Sequence, residues 1–164
     1  MKKVIIHWTA GTNQPCSTDY EHYHYTVNSD GVIVAGKYKP EDNKNCTDGK
    51  YARHCGGGNT GAIGVSMCGM FGFKNRKDVG KYPLTKKQCE ATFKLVAELC
   101  KQYGILITPQ NVMTHYEFGQ NHRNTSSYGK IDIIYLPPYP DVKQAEIGDF
   151  IRTKIKWYYQ KLQS

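Results

Sequence analysis

The stretch that most constrains this chain is an apolar run too short for a helix that ends on a histidine. Residues 3–11 read KVIIHWTAG. Lys3 to Ile6 form a short apolar strand, His7 stands at its end, and Thr9, Ala10 and Gly11 turn the backbone away. A strand end holds an imidazole rigidly, and histidine is the commonest metal ligand. An isolated histidine is more often solvated or satisfied within a core, so its meaning depends on what the rest of the chain brings to it.

Further short β-type runs follow. Residues 22–27, HYHYTV, alternate aromatic and β-branched types and read as a strand. Ser29-Asp30-Gly31 is a hairpin turn signal, and residues 32–35, VIVA, are the returning strand. Residues 36–59 form a long polar stretch with Pro40, Gly49 and the run Gly56-Gly57-Gly58, and loops of that length in compact domains are usually functional. Residues 62–68, AIGVSMC, read as a buried central strand. A helix opens at Thr85 with Gln88 three residues on, a capping box, and Cys89, Phe93, Val96, Ala97 and Cys100 keep helical spacing until Gly104. Residues 112–118 form a short strand carrying His115, and a polar stretch leads to the extended segment Lys130-Ile131-Asp132-Ile133-Ile134. Asp141 caps a last helix with Ile147, Ile151, Lys154, Tyr158 and Leu162 on one side, basic and aromatic elsewhere. With no internal repeat or linker, residues 1–164 are expected to form one α/β domain, a mixed central sheet flanked by helices.

Composition narrows the function classes. A hydrophobic fraction of 39% and a charged fraction of 22% suit a soluble globular protein. No run of about 18 apolar residues spans a membrane. The apolar part of the N-terminus is too short for a secretory signal, so synthesis in the cytoplasm with assisted export is expected. The formal net charge of +8 favours anionic partners. No RNP-like motif, zinc-finger spacing or arginine-rich run is present, so no nucleic-acid partner is expected. The six cysteines lack a CxxC pair, which removes a structural zinc knuckle. Cys89 and Cys100 would lie roughly 16 Å apart along a helix. The cysteines are expected to be reduced and mostly buried, with Cys46–Cys55 the one locally plausible pair.

Two histidines on short apolar strands, His7 and His115, and a carboxylate, Asp132, are the types that make a three-ligand catalytic zinc site with an open fourth position. Such a metal acidifies water and polarises a carbonyl. Spacing alone leaves His22, His24, His54 and His122 as competitors.

The motifs in order resolve the choice. Residues 5–11, IIHWTAG, residues 22–36, HYHYTVNSDGVIVAG, residues 59–69, NTGAIGVSMCG, the pair Thr114-His115, and residues 129–133, GKIDI, resemble five successive motifs of the type 2 N-acetylmuramoyl-L-alanine amidases. That superfamily includes phage amidase-lysozymes and animal peptidoglycan recognition proteins. The resemblance implies that fold, with zinc held by His7, His115 and Asp132. It implies catalytic roles for Tyr23 and Lys130, the Lys stabilising charge on the tetrahedral oxyanion and the Tyr orienting water or the substrate carbonyl. His54 falls where the family often has a histidine lining the substrate groove. Some members use a glutamate in the central strand. Ser66 stands there instead, which places the chain with the Tyr/Lys subgroup.

The implied activity is hydrolysis of the bond between the lactyl group of N-acetylmuramic acid and L-alanine in peptidoglycan. The resemblance extends to single-domain phage endolysins with no separate wall-binding module, made in the host cytoplasm and acting at the cell wall. A monomer is expected, with contact to an anionic outer-membrane surface through the basic C-terminal helix. Alternatives are a non-catalytic peptidoglycan-binding recognition module, which would lack a ligand, and a cytosolic muropeptide-recycling amidase, which would resemble the Glu subgroup. Two departures stand out: only about fifteen residues separate His7 from Tyr23, so one groove wall should be lower or remade by a loop, and residues 121–128 lengthen the approach to Lys130 and form a rim.

Overall fold

The computed structural model describes residues 1–163. The first strand, β1 (Lys3–Trp8), is the middle of the fold: it pairs in parallel with β4 (Ala62–Met67) on one side and β5 (Val112–Thr114) on the other. Beyond β4 lies β2 (Tyr25–Val27), again parallel, and β3 (Ile33–Ala35) closes that edge antiparallel to β2. The order β3-β2-β4-β1-β5 is a mixed five-stranded sheet. The expected α/β domain is found.

Alternation along the strands divides the sheet into two faces. Val4, Ile6 and Trp8 of β1 and Ile63, Val65 and Met67 of β4 enter the main core. Two helices cover them: α2 (Lys86–Tyr103) through Phe93, Val96 and Cys100, and the C-terminal α4 (Ile147–Gln163) through Ile147, Ile151 and Ile155. The opposite face carries a smaller cluster of Ile5, Cys55, Ala62, Met113 and Phe118. His7 follows Ile5 by two residues and so lies on this second face, away from α2 and α4.

Helix α2 begins and ends where its sequence signals say. Thr85 Oγ1 accepts from Gln88 N at 3.1 Å and Thr85 N donates back to Gln88 Oε1 at 3.1 Å, while Gly104 takes φ +66° to end the helix. The buried Gln88 amide also donates to Val27 O (2.7 Å) and Cys68 O (2.8 Å), tying the helix start to the ends of β2 and β4.

Four expectations are corrected. The chain between His7 and Tyr23 holds a short helix, α1 (Ser17–His22), in which Asp19 Oδ2 accepts from Cys16 N at 2.9 Å. No residue of α1 is buried, so it left no apolar periodicity to read, and the strand read from residue 22 begins only at Tyr25. His115 is not on a strand: β5 stops at Thr114, which caps α3 (His115–Asn121) with Glu117 as its reciprocal partner. Residues 130–134 form no strand: Lys130 and Ile131 are irregular, and the chain turns at Asp132 and Ile133. The last helix starts at Ile147 after a 3-10 turn (Gln144–Glu146), so Asp141 does not cap it. All six cysteines are free thiols, so Cys46 and Cys55 are not bridged. Among the described residues no helix is long and apolar enough to cross a membrane.

Candidate metal centre

Three chain segments deliver one side chain each to the second face of the sheet. β1 delivers His7. The Thr114–Glu117 capping box fixes the start of α3 and with it His115. Asp132 sits on the turn after α3, where Tyr116 N donates to Asp132 O at 2.6 Å and the neighbouring Ile133 is buried in the main core. His7 Nδ1 lies 2.9 Å from Asp132 Oδ2, His115 Nδ1 lies 3.1 Å from the same oxygen, and the two Nδ1 atoms are 3.2 Å apart. His7, His115 and Asp132 are all buried and form a group able to hold a metal ion.

The chemistry of this donor set favours a divalent cation. Two neutral imidazoles and one carboxylate supply nitrogen and oxygen with a single negative charge. Ligands at about 2.0–2.1 Å from a tetrahedral zinc stand about 3.3 Å from one another, close to the spacing found. Three atoms with lone pairs this close repel unless a proton or a metal ion sits among them. The ionisation of the ion-free cluster says the same. Burial lowers His7 to about 4, so it is neutral at pH 7. Burial would lower His115 too, but the hydrogen bond and charge of Asp132 outweigh it and raise the imidazole to about 9. Burial disfavours the Asp132 carboxylate, yet the two histidines hold it below its ordinary value.

His115 and Asp132 line an open cleft of about 640 Å³, with His7 buried beside them. Tyr23 and Lys130 both line it, so the segment 130–134 brings Lys130 and Asp132 to one place, as expected from their spacing although by a different backbone route. The Tyr23 ring centroid is 5.2 Å from that of His7. Burial, helped by the Asp132 charge, raises the Tyr23 phenol, so it keeps its proton at neutral pH. Lys130 is exposed at the rim. Ser66 pairs with His7 across β1 and β4, is fully buried, and its hydroxyl finds no hydrogen-bond partner.

His54 lines the cleft, as its motif position implies, but its ring nitrogens are engaged by protein groups. It is 5% exposed, its Nδ1 is 3.0 Å from His7 Nε2, and its Nε2 is 3.0 Å from Ala62 O. It lies flat on the sheet over Gly64, where a Cβ would come within 2.5 Å of the His54 ring. His24 is buried between Asn43 Oδ1 (2.8 Å) and Gly64 N (2.9 Å), a structural histidine. His22 ends α1 at the cleft mouth, and His122 stacks on Phe118 with ring centroids 4.0 Å apart.

Ser127 escaped the sequence reading. Its fully buried hydroxyl lies 3.0 Å from His115 Nε2 and donates to Gly56 O at 2.7 Å. No motif marks it, because a serine in a polar loop is ordinary. A second missed contact had a readable signal: Thr114-x-x-Glu117 is a capping-box pattern, and Glu117 also receives Arg152 from α4 at 2.9 and 3.0 Å.

The family model for N-acetylmuramoyl-L-alanine amidase matches residues 1–130. Among solved structures, the N-acetylmuramoyl-L-alanine amidase LysC from Clostridium intestinale URNW aligns with TM-score 0.57 and 16% identity, covering 94% of this chain and 85% of that one. An E90A mutant of PlyL aligns with TM-score 0.54 and 20% identity, covering 94% and 84%. At these identities the two structures speak for the fold alone. A search of curated protein sequences returns no match. The family match spans most of the chain, from the β1 histidine through the segment that carries His115 and Lys130, and by it this chain belongs to the N-acetylmuramoyl-L-alanine amidase family.

Proposed function

We propose that this protein is a zinc-dependent amidase that hydrolyses the bond between the lactyl carbonyl of N-acetylmuramic acid and L-alanine in peptidoglycan. The observation that carries this is the convergence of His7 Nδ1, His115 Nδ1 and Asp132 Oδ2, within 2.9–3.2 Å of one another, where His115 and Asp132 line a cleft together with Tyr23 and Lys130. These three side chains would hold the zinc, which when bound supplies Lewis acidity toward the scissile carbonyl and lowers the pKa of water.

The protein's own groups do the rest. The Tyr23 phenol stays protonated at neutral pH, so it serves as a hydrogen-bond donor to the substrate carbonyl or water and not as a base. Lys130 places a cationic group at the rim, where it stabilises negative charge developing on the carbonyl oxygen. Hydrolysis breaks the C–N bond, gives the water oxygen to the lactyl carbonyl carbon and a proton to the leaving amine of L-alanine.

We further read the protein as a phage endolysin: made in a host cell, acting on that cell's wall, with the net charge of +8 suited to an anionic polymer. The non-catalytic recognition module is disfavoured because all three ligand types are present. The recycling reading is disfavoured because Ser66 occupies the position that carries a glutamate in the other subgroup. The test is mass spectrometry of purified sacculi and of soluble muropeptides after incubation with the protein. Free stem peptides beginning at L-alanine from intact sacculi are expected. Binding without release would favour the recognition module, and cleavage of soluble fragments only would favour recycling.

A further inference from the structure

Two hydrogen-bond chains run outward from the histidine pair, and both end on backbone carbonyls of one segment, residues 54–62. In the first, Ala62 O can only accept, so His54 Nε2 carries the proton and donates to it at 3.0 Å. His54 Nδ1 is then an acceptor, so His7 Nε2, 3.0 Å away, must be the donor. His7 Nδ1 is left with its lone pair toward Asp132. In the second chain, Ser127 gives its single proton to Gly56 O at 2.7 Å. The hydroxyl therefore accepts from His115 Nε2 at 3.0 Å, and His115 Nδ1 likewise faces the cluster. The Cys55 thiol, 3.4 Å from Ser127 Oγ, takes the remaining lone pair, so this buried hydroxyl is fully committed.

The segment is built to hold these two carbonyls still. Asn59 Oδ1 accepts from the backbone N–H groups of His54 (3.0 Å) and Cys55 (2.8 Å), closing the loop on itself. The glycine run lets it press onto the α3 side: a Cβ on Gly58 would come within 2.5 Å of the Phe118 ring. The loop carrying Gly56 and the first residue of β4, Ala62, thus set the protonation pattern of two imidazoles that lie more than a hundred residues apart in sequence.

We propose that residues 54–62 act as a tautomer-setting device, with His54 and Ser127 as positioning residues that fix both His7 and His115 as Nε2–H and present both Nδ1 atoms to one cation. The proposal rests on the metal reading of the site. Neither residue need touch substrate. Acting through the ligands, each tunes metal affinity, and partners of this kind are worth 10–100-fold.

The test uses nitrogen-15-labelled protein, metal-free and loaded with cadmium-113 as a zinc surrogate. Wild type is expected to show neutral His7 as the Nε2–H tautomer without metal, and cadmium coupling to Nδ1 of both His7 and His115. Ser127→Ala is expected to weaken zinc binding 10–100-fold and to speed solvent exchange of the His115 Nε2–H while that of His7 stays slow. His54→Leu is expected to act on His7 in the mirror sense. His54→Asn, whose Oδ1 stands near the place of Nδ1, is expected to restore affinity relative to Leu. Coupling through Nε2, an unchanged His115 in Ser127→Ala, or an Asn variant no better than Leu would overturn the proposal. If wild type bound no metal, the metal reading would fail, while the metal-free spectrum would still judge the relay: His7 found as Nδ1–H overturns it.

Discussion

Arg152 is the residue through which the C-terminal helix reaches the metal centre, and replacing it by methionine is a quantitative test of that link. Its side chain is 6% exposed and donates to Val112 O (2.9 Å), to both oxygens of Glu117 (2.9 and 3.0 Å) and to Asp149 Oδ1 (2.8 Å). Methionine keeps most of the apolar stem but removes all four bonds. Asp149 is 81% exposed and returns to water at little cost, whereas the Glu117 side chain is only 26% exposed and Val112 is fully buried. Removing one partner of a buried pair costs about 3–5 kcal/mol, and the partial exposure of Glu117 sets the expectation at the lower end, about 3 kcal/mol. For a domain of this size that is a drop in Tm of roughly 6–12 °C. Urea unfolding with an unchanged m-value is the assay. Adding Glu117→Gln should recover part of the loss, because it removes the stranded charge while keeping an amide able to cap α3. Because Glu117 holds Thr114 and thereby His115, zinc affinity should fall as well. A loss below 1 kcal/mol, or full destabilisation with unaltered zinc affinity, would refute the argument that α4 positions the ligand.

Lys130→Ala should retain zinc and lose turnover by about 10²–10³-fold, the scale of one oxyanion donor, whereas Asp132→Ala should lose both; metal content and stem-peptide release read the two effects. Gly58→Ala drives a Cβ to 2.5 Å from the Phe118 ring and 3.0 Å from Cys55 Sγ, and should cost about 1–3 kcal/mol as overpacking, measured by chemical denaturation. His24, 1% exposed, is held neutral by burial, its pKa lowered from 6.5 to about 4. Its folded value lies below its unfolded one, so this contribution is intact above pH 6.5 and lost as the pH falls through 4. At about 1.4 kcal/mol per unit it amounts to about 3 kcal/mol. Because buried His7 is lowered over the same window, the test is the difference in unfolding free energy between wild type and His24→Gln from pH 7 to 4: the gap should shrink by that amount, and a constant gap would mean that His24 titrates normally.

The sequence disclosed most where local chemistry and the global fold say the same thing. β1 and β4 are apolar runs buried on both faces, and Thr85, Gln88 and Gly104 bound α2 as their types require. The convergence of His7, His115 and Asp132, and the place of Tyr23 and Lys130 in the adjoining cleft, were legible because motifs in order carry these residues. What was illegible follows from physics that acts at a distance. A two-turn helix with no buried residue, such as α1, has no periodicity to detect. The run VMTHYEF has β-type composition, yet the Thr114–Glu117 cap outweighs that preference and turns His115 onto a helix. His54 lines the cleft, but its bonds to His7 and Ala62, in the place that Gly64 leaves open on the sheet, arise from tertiary contact that no motif shows. Ser127 gains its meaning only from Gly56, brought beside it by tertiary contact.

The most direct test of the account is to measure zinc content and sacculus hydrolysis on the same preparation before chelation, after it, and after zinc is returned. The account predicts about one zinc per chain, loss of stem-peptide release with loss of zinc, and recovery of both together, with Asp132→Ala failing to recover either. Release of stem peptides by chelated, zinc-free protein at the original rate would contradict it.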